Sequence, residues 1–303
     1  MGKAVRMSSS FLQFMPSQAP EADPAAEHAL PTMVTVEPTP EMSDTERELV
    51  KRLRTGRAAL PVLPQVAESA LRLANDPDAR IGDLAELVDT DPPIAARFMS
   101  VANSVAYWRG LLTSSTQSAI VRLGLANTRD LLFQVVYAAS SGGLKRYQVP
   151  VARSFKRSVV AAVAARIAAR ELEIVTEYDY MSGLLHDIGE ARIYRILDAL
   201  PNPNNPKLIA ELVQRYHTAA GAEVAMAWKL PTEIVDACAA HHDPKAIGVP
   251  HVRLVMIADA VCEALEGGRS PKLDRFEHLL VDLSIARKII DETKKSSSTS
   301  VRP

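Results

Sequence analysis

What most constrains the fold of this chain is a succession of short apolar runs at helical spacing, each closed by a proline, glycine or asparagine signal. Leu63, Val66, Ala70 and Leu73 mark one helix that stops at Asn75-Asp76-Pro77, and Ile81, Leu84, Ala85 and Val88 mark a second that ends before Pro92-Pro93. Ile94 to Ala102 gives a third, with Asp91 as its N-cap and the two prolines in its first turn. Ser115 to Leu123 and Asn127 to Ala139 give two more around Gly124. A long helix follows from Val151 to about Leu172, its alanine-rich faces suited to close helix contacts. Further helices are predicted near Lys207 to Tyr216, Ala219 to Trp228, Thr232 to His241 and His251 to Leu265, with a helix pair over Leu273 to Ile290. No strand signal and no internal repeat compete with this pattern. Aromatic residues make up only 5% of the chain while alanine, leucine and valine abound, so the fold class is all-α.

The 303 residues leave room for two modules and tails. Residues 1–43, broken by six prolines from Pro16 to Pro40, read as a disordered tail. A helix from Ser43 to about Arg57 opens on a capping-box pattern, Ser-Asp-Thr-Glu, and Leu60-Pro61-Val62-Leu63-Pro64 reads as an extended connector. Ser140-Ser141-Gly142-Gly143 is the clearest internal break. It divides an N-terminal helical lobe (44–148) from a second helical lobe (149–268), which a polar loop at Pro201–Pro206 interrupts. Residues 269–303 supply C-terminal helices and a polar tail from Lys294.

A formal net charge of −1 gives no global field for a polyanion, and lysine and arginine in the first lobe are scattered among as many acids. Nucleic-acid binding is therefore disfavoured. Arg122, Arg129, Lys145 and Arg146 are candidates for a small anion-binding face, though helix surfaces commonly carry such charges. No apolar run reaches the roughly 18 residues of a membrane span, and two cysteines in so long a chain suit a reducing compartment, so no membrane partner is expected and the cytoplasm is the expected location. Tyr107 and Trp108 are expected in the core, and Cys238 is expected to be packed rather than reactive.

Function turns on Met181-Ser182-Gly183-Leu184-Leu185-His186-Asp187-Ile188-Gly189. On an ideal helix Met181, Leu184, Leu185 and Ile188 form the core stripe, and His186 and Asp187 leave from the other side about 100° apart. Gly183 lies a turn below the pair, where another helix or an ion could come close. Beyond this stretch lie His217, the neighbours His241 and His242, and Asp259 at the end of an apolar run. Imidazoles and carboxylates converging in this way could ligate a metal. The alternative has His217 capping a helix, His241 and His242 solvated at a helix C-terminus, and Asp259 in a salt bridge.

The order of several motifs resembles the HDOD family, the regulatory branch of the HD superfamily of metal phosphohydrolases. They are Leu60-Pro61-Val62-Leu63-Pro64, Asn75-Asp76-Pro77, Ala102-Asn103-Ser104, Ala119 to Gly124, Gly183 to Gly189, the run from His217 through Gly221 to Trp228, and His241-His242-Asp243-Pro244. The resemblance implies a two-lobed helical architecture. In active HD relatives an upstream histidine, the His-Asp pair, further histidines and a late aspartate hold two or more metals. His186, Asp187, His217, His241, His242 and Asp259 align with that scheme. The upstream histidine does not, since Lys156-Arg157-Ser158 puts Arg157 at its position. A guanidinium stays protonated and has no free lone pair, so it would replace a metal by pairing with Asp187 or Asp259. The HD-GYP signature after His242 is missing too, and Glu190 stands where those relatives often carry lysine. The resemblance thus implies a non-catalytic signalling module acting on a protein partner or a small nucleotide-like ligand. One divalent metal (iron, manganese or zinc) could remain at a residual site. The competing expectation is a metal-dependent phosphohydrolase acting on a nucleotide or cyclic dinucleotide.

Overall fold

A computed structural model of the chain describes residues 37–55, 80–140, 144–201, 205–267 and 273–300, together with Ser69 and Leu73. The described residues form helices and turns with no strand, so the fold is all-α. The expected tail as far as residue 36, the Leu60–Pro64 connector, most of the helix after it and the Ser141–Gly143 break lie outside the described residues.

Helix α1 (Asp44–Thr55) starts as its capping box predicts, the Glu46 amide donating to Ser43 Oγ at 3.2 Å. The Glu46 side chain does not return to the helix end; it accepts from Arg215 and from the Tyr216 hydroxyl (2.9 Å). Helices α2 (Ile81–Asp89) and α3 (Pro92–Ala102) follow, and Asp91 caps α3 by accepting from the Ile94 amide at 3.2 Å. Helix α4 (Thr116–Ser140) is broken at Gly124, whose φ of 77° is open to glycine but not to a helix, so two segments flank it as expected. Next come α5 (Gln148–Glu171), α6 (Asp179–Leu185), α7 (Ile188–Asp198), α8 (Pro206–Ala227), α9 (Thr232–Ala240) and α10 (Pro250–Glu266). The pair α11 (Asp274–His278) and α12 (Leu283–Ser300) closes the chain.

Among the described residues three apolar cores hold these helices. The first joins Phe98, Ile120 and Leu132 to Met181, Leu184 and Ile234, and so runs across the break placed near residue 148. The second packs the alanine face of α5 (Ala161, Ala165) against α10 and the last two helices through Ile257, Phe276 and Ile289. The third seats Leu49, Val50 and Leu53 of α1 on Ile196 and Leu212 of α7 and α8.

The structure corrects four expectations. The His-Asp stretch is not one helix: α6 ends at Leu185, α7 begins at Ile188, and Asp187 takes φ −99° and ψ 15°. A continuous helix would splay the two side chains about 100° apart, whereas the turn lets both face the same place. The two helices expected over 207–228 are one, because nothing near His217 breaks the backbone ladder and that histidine is buried within it. The tail from Lys294 is helical to Ser300; Thr293 is buried, and Lys288 and Glu292 tie α12 to Glu171 and Arg170 at the end of α5. Trp108 is 51% exposed instead of in the core, because the Val105–Tyr107 turn carries it outward.

Two glycines set the helix spacing around the site. A Cβ on Gly183 would stand 2.7 Å from the Ala161 carbonyl oxygen, so it is a helix, α5, that fills the space beneath the His-Asp pair. A Cβ on Gly189 would stand 1.9 Å from the His217 carbonyl oxygen and 2.5 Å from the Gly221 nitrogen, so α7 and α8 cross with their backbones in contact.

Candidate metal centre

The α6–α7 turn, the middle of α8 and the C-terminal end of α9 bring His186, Asp187, His217 and His241 together, all of them buried. Each of the three imidazoles is oriented by its own helix. His186 Nδ1 lies 2.8 Å from the Gly183 carbonyl oxygen; His217 Nδ1 lies 3.1 and 3.0 Å from those of Val213 and Gln214; His241 Nδ1 lies 2.9 and 3.1 Å from those of Ala237 and Cys238. A carbonyl oxygen only accepts, so every Nδ1 carries the proton and every Nε2 is left to face the centre.

What the Nε2 atoms face is Asp187. Its Oδ2 is 3.0 Å from His186 Nε2, and its Oδ1 is 3.5 Å from His217 Nε2 and 3.4 Å from His241 Nε2. The His217 and His241 Nε2 atoms are 3.3 Å apart. Two lone pairs facing at that distance repel unless a proton or a cation lies between them. The triangle of Asp187 Oδ1, His217 Nε2 and His241 Nε2 has nearly equal sides, close to the roughly 3.3 Å that separates ligand atoms around a tetrahedral ion with bonds of about 2.0–2.1 Å. His186 Nε2, although near Asp187, makes no hydrogen bond of good geometry and is an orphaned buried polar atom. His242 stands exposed at the rim, its ring centroid 4.2 Å from that of His241 and 5.0 Å from that of His217. Among the described residues two ligand groups result, sharing His241: His186, Asp187 and His241, and His217, His241 and His242. Imidazole with a single carboxylate suits zinc, iron or manganese, so the donor set fits a divalent ion.

The electrostatics centre on Asp187. Burial opposes the charge on Asp187, but the facing imidazoles outweigh it and hold its carboxyl well below the usual range. Burial likewise disfavours protonated His186, yet Asp187 overrides it and raises the imidazole to about 9, so near neutral pH its Nε2 holds a proton that a bound cation would have to displace. His241 is lowered by burial first. Desolvation of its inner edge and repulsion by His241 and His217 bring His242 to about 4, a value that keeps its lone pair available near neutral pH.

Asp259 has other partners. One carboxylate oxygen accepts from Arg157 Nη2 and the other from Arg275 Nη2 at 3.1 Å, with the side chain only 5% exposed. Glu266 accepts from Arg157 Nη1 at 2.9 Å, and Glu263 pairs with Arg275. Burial opposes ionisation of Asp259, but His186 and Arg157 prevail and its carboxyl is lowered. Burial also disfavours the Arg157 charge, and Asp259 more than offsets it. The structure therefore brings five of the six aligned residues together and places Asp259 in an arginine clamp, which includes Arg157 as one of the two pairings considered for it. Glu263 and Glu266, four and seven residues beyond Asp259, were within reach of sequence reasoning from helical spacing alone. Arg275, on a separate helix, left no such signal. Glu190 lies beside the cluster, where burial and then Asp187 raise its carboxyl.

Three of the four basic side chains proposed for an anion face are already engaged. Arg122 and Arg129 donate to the Leu111 and Glu177 carbonyls, and Arg146 pairs with Asp198, whose carboxylate also accepts from the Lys145 and Arg146 backbone amides.

A family model for the HDOD domain matches residues 60–244, more than half of the chain. The chain belongs to the HDOD family. Among solved structures, this HDOD chain resembles a Shewanella amazonensis protein provisionally described as a metal-dependent phosphohydrolase, at 23% identity and a TM-score of 0.64 over 83% of this chain and 100% of that one. It also resembles a Marinobacter aquaeolei protein provisionally described as a signal transduction protein, at 22% identity and a TM-score of 0.56 over 79% of this chain and 58% of that one. Both likenesses concern the fold. Among curated relatives, ribonuclease Y of Lactobacillus gasseri is 26% identical over 232 residues, 75% of this chain and 36% of that one. The HDOD chain spans little more than a third of the length of the curated relatives it matches first.

Proposed function

We propose that this HDOD chain is a non-catalytic regulatory module that keeps one cation position of an HD-type site and fills the other with arginine. The observation that carries this reading is the clamp on Asp259. Two-metal hydrolysis needs both positions occupied by ions that polarise the phosphoester and stabilise the attacking and leaving oxygens. Arg157 brings a fixed positive charge to the late aspartate but offers no lone pair and no exchangeable coordination position. His186, Asp187, His217 and His241, with His242 at the rim, would hold the remaining ion. When bound, that ion supplies Lewis acidity and local positive charge. The chain's own part is to fix the three Nδ1 protons on helix carbonyls, leaving each Nε2 aimed inward without further ordering.

On this reading the module acts in the cytoplasm by recognising a signalling protein or a small nucleotide-like ligand. Among the described residues no helix is long and apolar enough to cross a membrane. The second reading, a metal-dependent phosphohydrolase, draws support from the intact imidazole cluster and from the ribonuclease Y relatives. Metal analysis of protein purified without added metal, with phosphate release measured over nucleotides and cyclic dinucleotides in manganese, separates the two. The regulatory reading expects no more than one equivalent of metal and no turnover. Turnover by the wild type that Asp187→Ala abolishes would replace it with the enzyme.

A further inference from the structure

Six large apolar side chains stand in water along the segment after α3 and the outer side of α4: Val105 (87% exposed), Trp108, Leu111 (76%), Leu112 (71%), Val121 and Leu125. Contiguous exposure on this scale marks a contact surface. The segment is held rigidly in this presentation. Asn103 Nδ2 donates to the Thr113 carbonyl at 3.0 Å, and Asn103 Oδ1 accepts from the Thr113 amide at 2.8 Å. Arg122, between Val121 and Leu125 on α4, donates to the Leu111 carbonyl at 2.8 Å and to the Ala102 carbonyl at 3.2 Å. The loop backbone is thus bonded internally, and little ordering remains to oppose association.

The patch is also cationic. From Pro92 to Arg129 the sequence carries Arg97, Arg109, Arg122 and Arg129 and not one aspartate, glutamate or lysine, in a chain whose net charge is −1. Arg97 and Arg109 are exposed and form no ion pair among the described residues, and the bonds of Arg122 go to uncharged oxygens. Its occupant should therefore be apolar and acidic.

Such a surface exists on the same molecule. A groove of about 440 Å³ is lined by Val175, Glu177, Tyr178, Glu233 and His251 among others. Val175 at its edge is 99% exposed. Glu173 and Glu177 are exposed, and no carboxylate of these two or of Glu233 forms an ion pair among the described residues. The groove adjoins the patch: Arg129, about one helical turn beyond Leu125, donates to the Glu177 carbonyl at 2.8 Å and lies 5.2 Å from the Tyr178 ring centroid. One face therefore carries a basic apolar half and an acidic apolar half side by side. That is the condition for a twofold contact, in which residue i meets j while j meets i.

We propose that this face binds a second copy of the chain, the Val105–Leu125 patch of each copy seating against the Glu177–Glu233 groove of the other. Tryptophan and arginine, which dominate the energetics of protein contacts, lie adjacent at Trp108 and Arg109. The surface is independent of the imidazole cluster, so its test does not depend on the functional reading above.

Sedimentation velocity on the full chain supplies that test. At about 50 mM salt and tens of micromolar protein a dimer is expected, its dissociation constant rising at least about tenfold by about 500 mM salt as the facing charges are screened. Arg109→Glu should weaken the dimer by about tenfold or more, and adding Glu177→Arg or Glu233→Arg should restore it to within about threefold. Leu111→Ser with Leu112→Ser should weaken it at either salt concentration, and circular dichroism verifies that these surface variants stay folded. A chain that remains monomeric at about 100 µM in low salt overturns the proposal. So does a dimer indifferent to Arg109→Glu, or one that neither charge swap restores. Cosedimentation of a monomeric chain with phosphatidylglycerol vesicles, lost in Arg109→Glu, would assign the face to lipid instead.

Discussion

Replacing Gly189 with alanine places one methyl group between two helix backbones. The new Cβ would lie 1.9 Å from the His217 carbonyl oxygen, where ordinary contact begins near 3.4 Å. The α7–α8 crossing must therefore open by about 1.5 Å, and the obstacle is backbone on both sides, so no side chain can rotate away. Overpacking of a core costs about 1–3 kcal/mol, and a backbone obstacle puts this case at about 3 kcal/mol or above. For a chain of this size each kcal/mol lowers the melting temperature by about 2–4 °C, so a loss of roughly 6–12 °C is expected in a thermal melt. The same displacement carries His217 away from Asp187, 3.5 Å off in the wild type, so bound metal should fall with stability. Gly124→Ala is the control. Nothing lies within 4 Å of its Cβ, and its φ of 77° costs alanine about 1–2 kcal/mol with the imidazole cluster untouched. A Gly189→Ala protein that melts within about 1 °C of wild type, or below which Gly124→Ala falls, would refute the account of the crossing.

Arg157→Met should destabilise the fold by about 1–3 kcal/mol in chemical denaturation, less than the roughly 3–5 kcal/mol of a buried charge left alone, because Arg275 still holds the other oxygen of Asp259. Burial raises the Asp130 carboxyl more than Arg166, 2.6 Å away, lowers it; the rise of Arg166 shows that the pair attracts, but burial of the carboxylate is the larger effect. A carboxyl raised in the folded state contributes most below its unfolded value, about 3.9, and loses that contribution as pH rises through the folded value. The stability of wild type relative to Asp130→Asn should therefore decline with rising pH across that window, and a difference that grows would contradict the burial argument. Cys238 and Cys262 are buried, and burial pushes both thiols up, Cys262 to about 12. Neither should react with a thiol reagent near neutral pH until the protein is denatured, and rapid native labelling would show that the α9 and α10 core opens easily.

Much of the fold was legible because proline and apolar spacing are local signals. Asp91-Pro92-Pro93 announced the start of α3, and Ile81, Leu84, Ala85 and Val88 announced the buried face of α2. Periodicity failed where tertiary packing decides. It cannot see the turn at His186-Asp187, since the apolar stripe of Met181, Leu184 and Leu185 runs on into Ile188 with no change of period, and all four are buried. Nor does it separate a helix that pauses near His217 from one that continues with its polar residue turned inward. Trp108 was placed in the core by its chemistry and lies outside by its turn. At the site, residue types sufficed to collect the imidazoles and Asp187, but which charge answers Asp259 depends on α11, whose Arg275 no local pattern connects to it.

Tyr216 and His217 are consecutive on α8, and they serve different neighbours. The tyrosine hydroxyl donates to Glu46 on α1, while the imidazole that follows it faces Asp187. A helix cannot turn one without the other, because neighbours are fixed about 100° apart around its axis. Whatever grips the first helix of the described chain thereby also sets the angle at which the His217 imidazole addresses its carboxylate.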